Sequence, residues 1–169
     1  MRISKLSVAP ALATLLATAT LASDSHTFYG SAGGWNVFVD SKKNTCFIEA
    51  TDDFGYVVQM GLAREDRSVA YIGIFTKAET DIEADQKKGV AIKLGDNLYA
   101  GEATGMHGNI PEGYSGGYIL TDDPEIVMQI QKQPEMLVFP ENSNGFVLDL
   151  TGTNKAIEMG KKCNAEISQ

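Results

Sequence analysis

The run Gly145-Phe-Val-Leu-Asp-Leu-Thr-Gly-Thr-Asn-Lys-Ala-Ile-Glu-Met-Gly-Lys-Lys-Cys163 reads as a strand that turns into a helix, and it carries one of only two cysteines in the chain. Phe146, Leu148 and Leu150 alternate with Val147 and Asp149, the period of a half-buried strand. After Thr151 and Gly152, Thr153 or Asn154 can cap a short helix, a side-chain oxygen accepting from a first-turn N–H that lacks an intrahelical partner. Ala156 with Met159 or Gly160, three and four residues on, gives that helix a narrow apolar face. Lys161 and Lys162 fall where the helix dipole favours cations, and Cys163 closes the helix. Its only partner is Cys46.

Whether those sulfurs meet depends on where the chain resides. It begins Met-Arg-Ile-Ser-Lys and then runs from Leu6 to Ala22 without a charge, a basic region followed by an apolar one. Thr20-Leu21-Ala22 places small residues at the positions a signal peptidase reads, so residues 1–22 are expected to be a signal peptide cleaved after Ala22. A membrane anchor fits less well, because the segment is short for a span of roughly 20 strongly apolar residues and is diluted by Thr and Pro10. No later stretch reads as transmembrane. In an oxidising compartment, periplasmic or secreted, a Cys46–Cys163 disulfide is expected to clip the C-terminal helix onto an early strand. There is no Cys-x-x-Cys spacing to suggest redox work.

Cleavage leaves residues 23–169 as one domain, long enough to bury an ordinary core. The basic count falls from 14 to 12 against 22 acids, so the mature chain carries about −10. Such a surface repels nucleic-acid backbones and anionic lipid; neither nucleic acid nor a membrane is an expected partner.

The middle of the chain is read as short strands and turns. His26 to Gly34 is small and polar, an exposed lead-in. Strands follow at Trp35–Val39, Thr45–Ala50, Tyr56–Leu62 and Ser68–Thr76, separated by loops of about five residues, a meander of four. Lys77 to Gly89 reads as a long loop or a helical excursion. Val90–Leu94 and Leu98–Ala103 flank the turn Gly95-Asp-Asn97. Gly101 to Gly117 holds six glycines in seventeen residues and reads as a loop, since glycine loses the most backbone entropy on ordering. A strand resumes at Gly117–Thr121. Asp122 or Asp123 can cap a helix with Pro124 in its first turn and Ile126, Val127 and Ile130 inward, until Pro134 stops it. Met136–Phe139 is another strand and Pro140–Asn144 a turn. The expected fold is mainly β: an antiparallel sandwich or flattened barrel with two short helices, the second C-terminal and disulfide-linked.

A strand with Trp near the mature start, a Cys in the next strand, a late helix before an apolar strand, and the ending Phe146-x-Leu148-x-Leu150-x-Gly152-x-x-x-Ala156 together resemble small exported bacterial β-domain proteins of the invasion-associated locus B type. The resemblance implies a periplasmic or outer-envelope β-sandwich without known catalytic residues, in a family linked in pathogens to host-cell invasion. This chain has a single cysteine pair where those proteins often carry more.

Chemistry-bearing constellations are few. Gly113-Tyr-Ser-Gly-Gly117 matches G-x-S-x-G, but a nucleophile elbow needs a strand before the serine and a helix after it, and no histidine follows His107. His26 and His107 lack a partner at i+2 to i+4, so a metal site is not expected. Asp122-Asp123-x-Glu125 serves a helix start better than a cation. Asp52-Asp53 and the Asp81, Glu83, Asp85 alternation read as solvated faces. Cofactors are not expected. The segment Tyr99 to Tyr118 gathers Tyr99, Met106, His107, Tyr114 and Tyr118 among glycines, a mix that presents rings at low entropic cost, as recognition loops do. The functional reading is a binding or structural accessory module whose partner is a protein or envelope component, acting by binding and not by chemistry. Two alternatives are an envelope hydrolase using loop carboxylates such as Glu102 and Glu112, which must converge at about 5 to 10 Å for glycoside hydrolysis, and an inhibitor presenting the Gly101–Gly117 loop to a secreted enzyme.

Overall fold

The computed structural model describes residues 26–63, 68–78, 82–107, 113–139 and 145–168. Ten strands form one antiparallel sheet: β1 (His26–Ala32), β2 (Trp35–Asp40), β3 (Thr45–Thr51), β4 (Val57–Leu62), β5 (Ala70–Thr76), β6 (Lys87–Leu94), β7 (Asn97–His107), β8 (Ser115–Thr121), β9 (Glu135–Val138) and β10 (Phe146–Asp149). Two helices accompany them, α1 (Pro124–Lys132) and α2 (Thr153–Glu166). The strand order is β1-β2-β3-β4-β5-β8-β7-β6-β9-β10, so a meander passes to β8 and then runs backward through β7 and β6.

The mainly β expectation holds, and several boundaries shift. His26–Ala32 is not an exposed lead-in but β1, which makes the meander five strands long. Its period is hidden by a bulge between Phe28 and Gly30, where Tyr29 breaks the alternation. Gly101–Gly117 is not a loop: β7 runs on to His107 and β8 begins at Ser115. The glycines there make room for neighbours. A Cβ at Gly116 would strike the Ile74 carbonyl and the Phe75 ring, and one at Gly105 the Glu83 carbonyl. Glycine within a strand marks close approach as often as it marks a turn.

Alternation along every strand assigns one face to the core. Trp35 and Val37 on β2, Cys46 and Ile48 on β3, Val58 and Met60 on β4, Ile72 on β5, Ile92 and Leu94 on β6, Met136 and Val138 on β9 and Leu148 on β10 all join one buried cluster. Leu94, Met136, Leu148 and Val37 are fully buried, and each such side chain contributes roughly 1.5–3 kcal/mol. The ends of the sheet approach each other. Trp35 Nε1 donates to the Thr151 carbonyl at 3.1 Å, and Tyr56 stacks on Phe146 with ring centres 4.9 Å apart. The Gly33-Gly34 turn, both residues at positive φ, lies against Gly152, where a Cβ would overlap the Gly33 carbonyl.

Helix α1 starts as its sequence dictates. Asp123 Oδ1 accepts from the Glu125 N–H at 2.8 Å, and Pro124 occupies the first turn. Helix α2 departs from expectation at both ends. Its N-cap is Gly152 at φ 81°, with no side-chain cap; Thr153 is already helical and its hydroxyl donates to the Leu150 carbonyl at 2.5 Å. Cys163 does not close it, for the helix continues to Glu166. Two glycines in van der Waals contact leave no space for a capping side chain, and Asp149 organises the corner instead. The Thr151 hydroxyl and N–H bind its carboxylate and hold it below the usual carboxylate range.

The expected disulfide is present, Cys46 to Cys163, across 117 residues with Cα atoms 6.1 Å apart. The adjoining Asn164 repeats the attachment: its Oδ1 accepts from the buried Cys46 N–H at 3.0 Å, and its amide nitrogen donates to the Gly160 carbonyl. A buried strand N–H thus has a helix side chain as acceptor. Farther out on β1, Met159 packs over Gly30, and the Tyr29 hydroxyl donates to Glu166 at 2.7 Å.

Replacing both cysteines by alanine is expected to destabilise the protein by up to about 4 kcal/mol, read from urea denaturation under non-reducing conditions. Gly152→Ala is expected to lower the melting temperature well beyond Gly55→Ala. Both positions have φ near 80°, but nothing lies within 4 Å of a Cβ at Gly55. Equal losses would show that the Gly33–Gly152 approach contributes nothing.

Candidate functional site

Strands β7 and β8 pair in register from Ala103↔Ile119 to His107↔Ser115, which fixes the face on which each residue falls. Ala103 and Ile119 pack against the core, so odd positions face inward and even ones outward. Met106, opposite Gly116, and Tyr118, opposite Thr104, therefore share the outer face and are half-buried. Tyr114 precedes β8, its ring beneath the Lys77 ammonium at 4.9 Å, a cation–π contact that ties the hairpin to the end of β5. His107 ends β7, paired with Ser115. Beyond it, residues 108–112, including the Glu112 considered for catalysis, lie outside the described residues.

Tyr99 does not belong with the others. It pairs with Ile92 on the inner face and packs against the core. Seven residues of strand separate it from Met106, about 23 Å at the rise of a β-strand. Its hydroxyl is buried without a hydrogen-bonding partner among the described residues, and desolvation, reinforced by Glu125 and Asp123, raises its pKa. The structure therefore groups Met106, Tyr114 and Tyr118 at one end of the hairpin, with His107 beside them in the chain.

The carboxylates and the serine motif have structural employment. Glu102 pairs with Lys87 at 2.7 Å, and the bond to Glu102 raises the lysine pKa. Ser115 is buried in β8 and begins a strand, so the G-x-S-x-G run builds no elbow. Asp52 Oδ1 accepts from the N–H groups of Phe54 and Tyr56, and Asp123 caps α1. Among the described residues no three acidic, histidine or cysteine side chains converge as a metal site would require. Asp81 lies outside the described residues.

Two features escaped the sequence reading. On the outer face, Phe28↔Phe38↔Phe47↔Gly61↔Tyr71↔Leu120 form one row across six strands. Phe38 stacks on Phe47 at 5.3 Å and His26 meets Phe47 edge-on, while Lys43 covers Tyr71 and pairs with Asp40. Burial of Tyr71, with Asp40 and Glu49 nearby, pushes its hydroxyl pKa strongly upward. Phe38 and Phe47 at polar-face positions of their strands were the signal available. The second feature is an apolar groove between α1, α2 and strands β3 to β5. It depends on how the helices sit, for which no local pattern exists.

Tyr99→Phe is expected to leave the melting temperature unchanged or raise it, because it removes a buried hydroxyl that makes no bond. A loss of more than a few degrees would mean that the hydroxyl is satisfied after all.

No family model matches the chain, and no curated protein sequence is significantly similar to it. Among solved structures, the crystal structure of invasion-associated protein B from Bartonella henselae superposes with a TM-score of 0.52 at 15% sequence identity, covering 83% of this chain and 98% of that one. The two share a fold.

Proposed function

We propose that the chain is an exported bacterial envelope protein that acts by binding, as a surface-interacting or structural accessory module. The observation that carries this reading is the Cys46–Cys163 disulfide, joining early and late elements of a chain whose first 22 residues read as an export leader. Such a bond persists in periplasmic and extracellular compartments and is rare in the cytosol. The fold shared with invasion-associated protein B is in keeping with it, and that protein's name motivates a contact with host or cell surface. The contact surface in this reading is the outer end of the β7–β8 hairpin, where Met106, Tyr114 and Tyr118 gather, with His107 next to Met106 in the chain. The aromatic and thioether side chains supply apolar contact area, and an acidic surface selects against phosphate-rich partners.

Two experiments test it. Mass spectrometry of protein released from the envelope should find a chain beginning at Ser23 and carrying an intact disulfide; a reduced, full-length cytosolic chain would overturn the assignment. Photo-crosslinking in intact cells from a benzophenone amino acid placed at Tyr114 should yield a discrete adduct that the same probe at exposed Leu98, at the far end of β7, does not. Identical adducts from both positions would remove the hairpin from consideration. His107→Ala with Tyr114→Ala should shift the melting temperature by no more than a few degrees while abolishing that adduct, captured then from a second probe at Met106.

A further inference from the structure

Helix α1 rests on α2 through polar bonds: the Gln131 amide donates to Asn154 Oδ1 at 3.0 Å and to Glu158 Oε1 at 3.1 Å. Beneath that bridge the helices do not close on the sheet. A space of about 150 Å³ remains, walled by Met60, Ile72, Ile126, Ile130 and Ile157, with Gly160 bare at its side. An apolar space of this size accepts a molecule of about the size of benzene, roughly six carbon atoms.

The polar groups that line the groove offer donors. Asn164 is committed at both ends of its amide, to Cys46 and to Gly160. Thr121 Oγ1 accepts from the Asp123 N–H at 3.1 Å and has its own proton to give. Lys161 gives one proton to Glu158 Oε1 at 2.8 Å and has two more. Glu158, one turn before Lys161 on α2, is occupied by Lys161 and Gln131, which hold its pKa down. An apolar slot with donors at its rim matches an apolar tail that ends in an acceptor-only head.

We propose that this groove binds a short fatty carboxylate, its alkyl tail between α1, α2 and the sheet and its carboxylate taken by Lys161 and Thr121. No covalent step is involved. The site does not rest on the hairpin reading, and the two can fail separately: Tyr114→Ala leaves fatty-acid binding unchanged.

Methyl-resolved NMR of the mature protein, titrated in parallel with octanoate, octylamine and 1-octanol, tests it. Octanoate is expected to shift the methyls of Met60, Ile72, Ile126, Ile130 and Ile157 saturably and to bind at least about ten-fold more tightly than octylamine. Lys161→Met should weaken octanoate about ten-fold and leave 1-octanol unaffected. Ala70→Leu, which fills the groove, should abolish binding of both. Equal affinities for octanoate and octylamine, shifts confined to other methyls, or unchanged octanoate binding in Lys161→Met would each overturn the proposal. If Ala70→Leu does not fold, the ligand comparison and Lys161→Met decide the matter.

Discussion

One face of a ten-stranded sheet must leave water, and in this protein the sheet covers that face largely with itself. Trp35 reaching the Thr151 carbonyl, Tyr56 stacking on Phe146 and Gly33 lying against Gly152 are three places where strands remote in the order come together. Helix α2 lies over the inner side of β1 to β3 and completes the enclosure. The hydrophobic effect drives the closure, but it is not directional. Direction comes from the Gly33–Gly152 approach, which admits no side chain at either position, and from the grip of Cys163 and Asn164 on Cys46.

That enclosure explains why polar and glycine residues lie where they do. Asn164 is among the few buried polar side chains, and its amide is engaged on both sides, as a buried amide must be. Gly73 and Gly116 lie on the outer face on either side of Phe75, whose ring is buried there although it takes no part in the main core. The outer aromatic row and Phe75 form a thin second layer that keeps water off the backbone of the central strands. Lys43 over Tyr71 and Lys77 over Tyr114 cap that layer with charge.

Much of this was legible in the chain. Alternation located β2 to β5 within a residue or two, Asp123-Pro124 announced α1, and a sequence with two cysteines admitted one bridge. What stayed hidden has physical causes. β1 was lost because the bulge at Tyr29 breaks the period on which strand reading relies. Gly101, Gly105, Gly116 and Gly117 read as loop because a glycine needed for packing and one needed for turning look alike in sequence. Thr153 or Asn154 reads as the cap of α2, but the crowding at Gly33 is a contact between residues 119 positions apart, invisible to any local rule. The grouping of Met106, Tyr114 and Tyr118 without Tyr99 likewise follows from strand parity, which cannot be assigned to a segment read as loop.

The two outer strands of the sheet have a consequence for life among other proteins. Exposed backbone edges invite strands from neighbouring molecules, and long flat ones seed aggregates. Here β10 offers four residues and ends at the Asp149 corner, while β1 is kinked by its bulge midway along. Neither presents an unbroken row of hydrogen-bonding groups to a second copy. A protein with so much sheet thus has rims that are poor templates for a second copy.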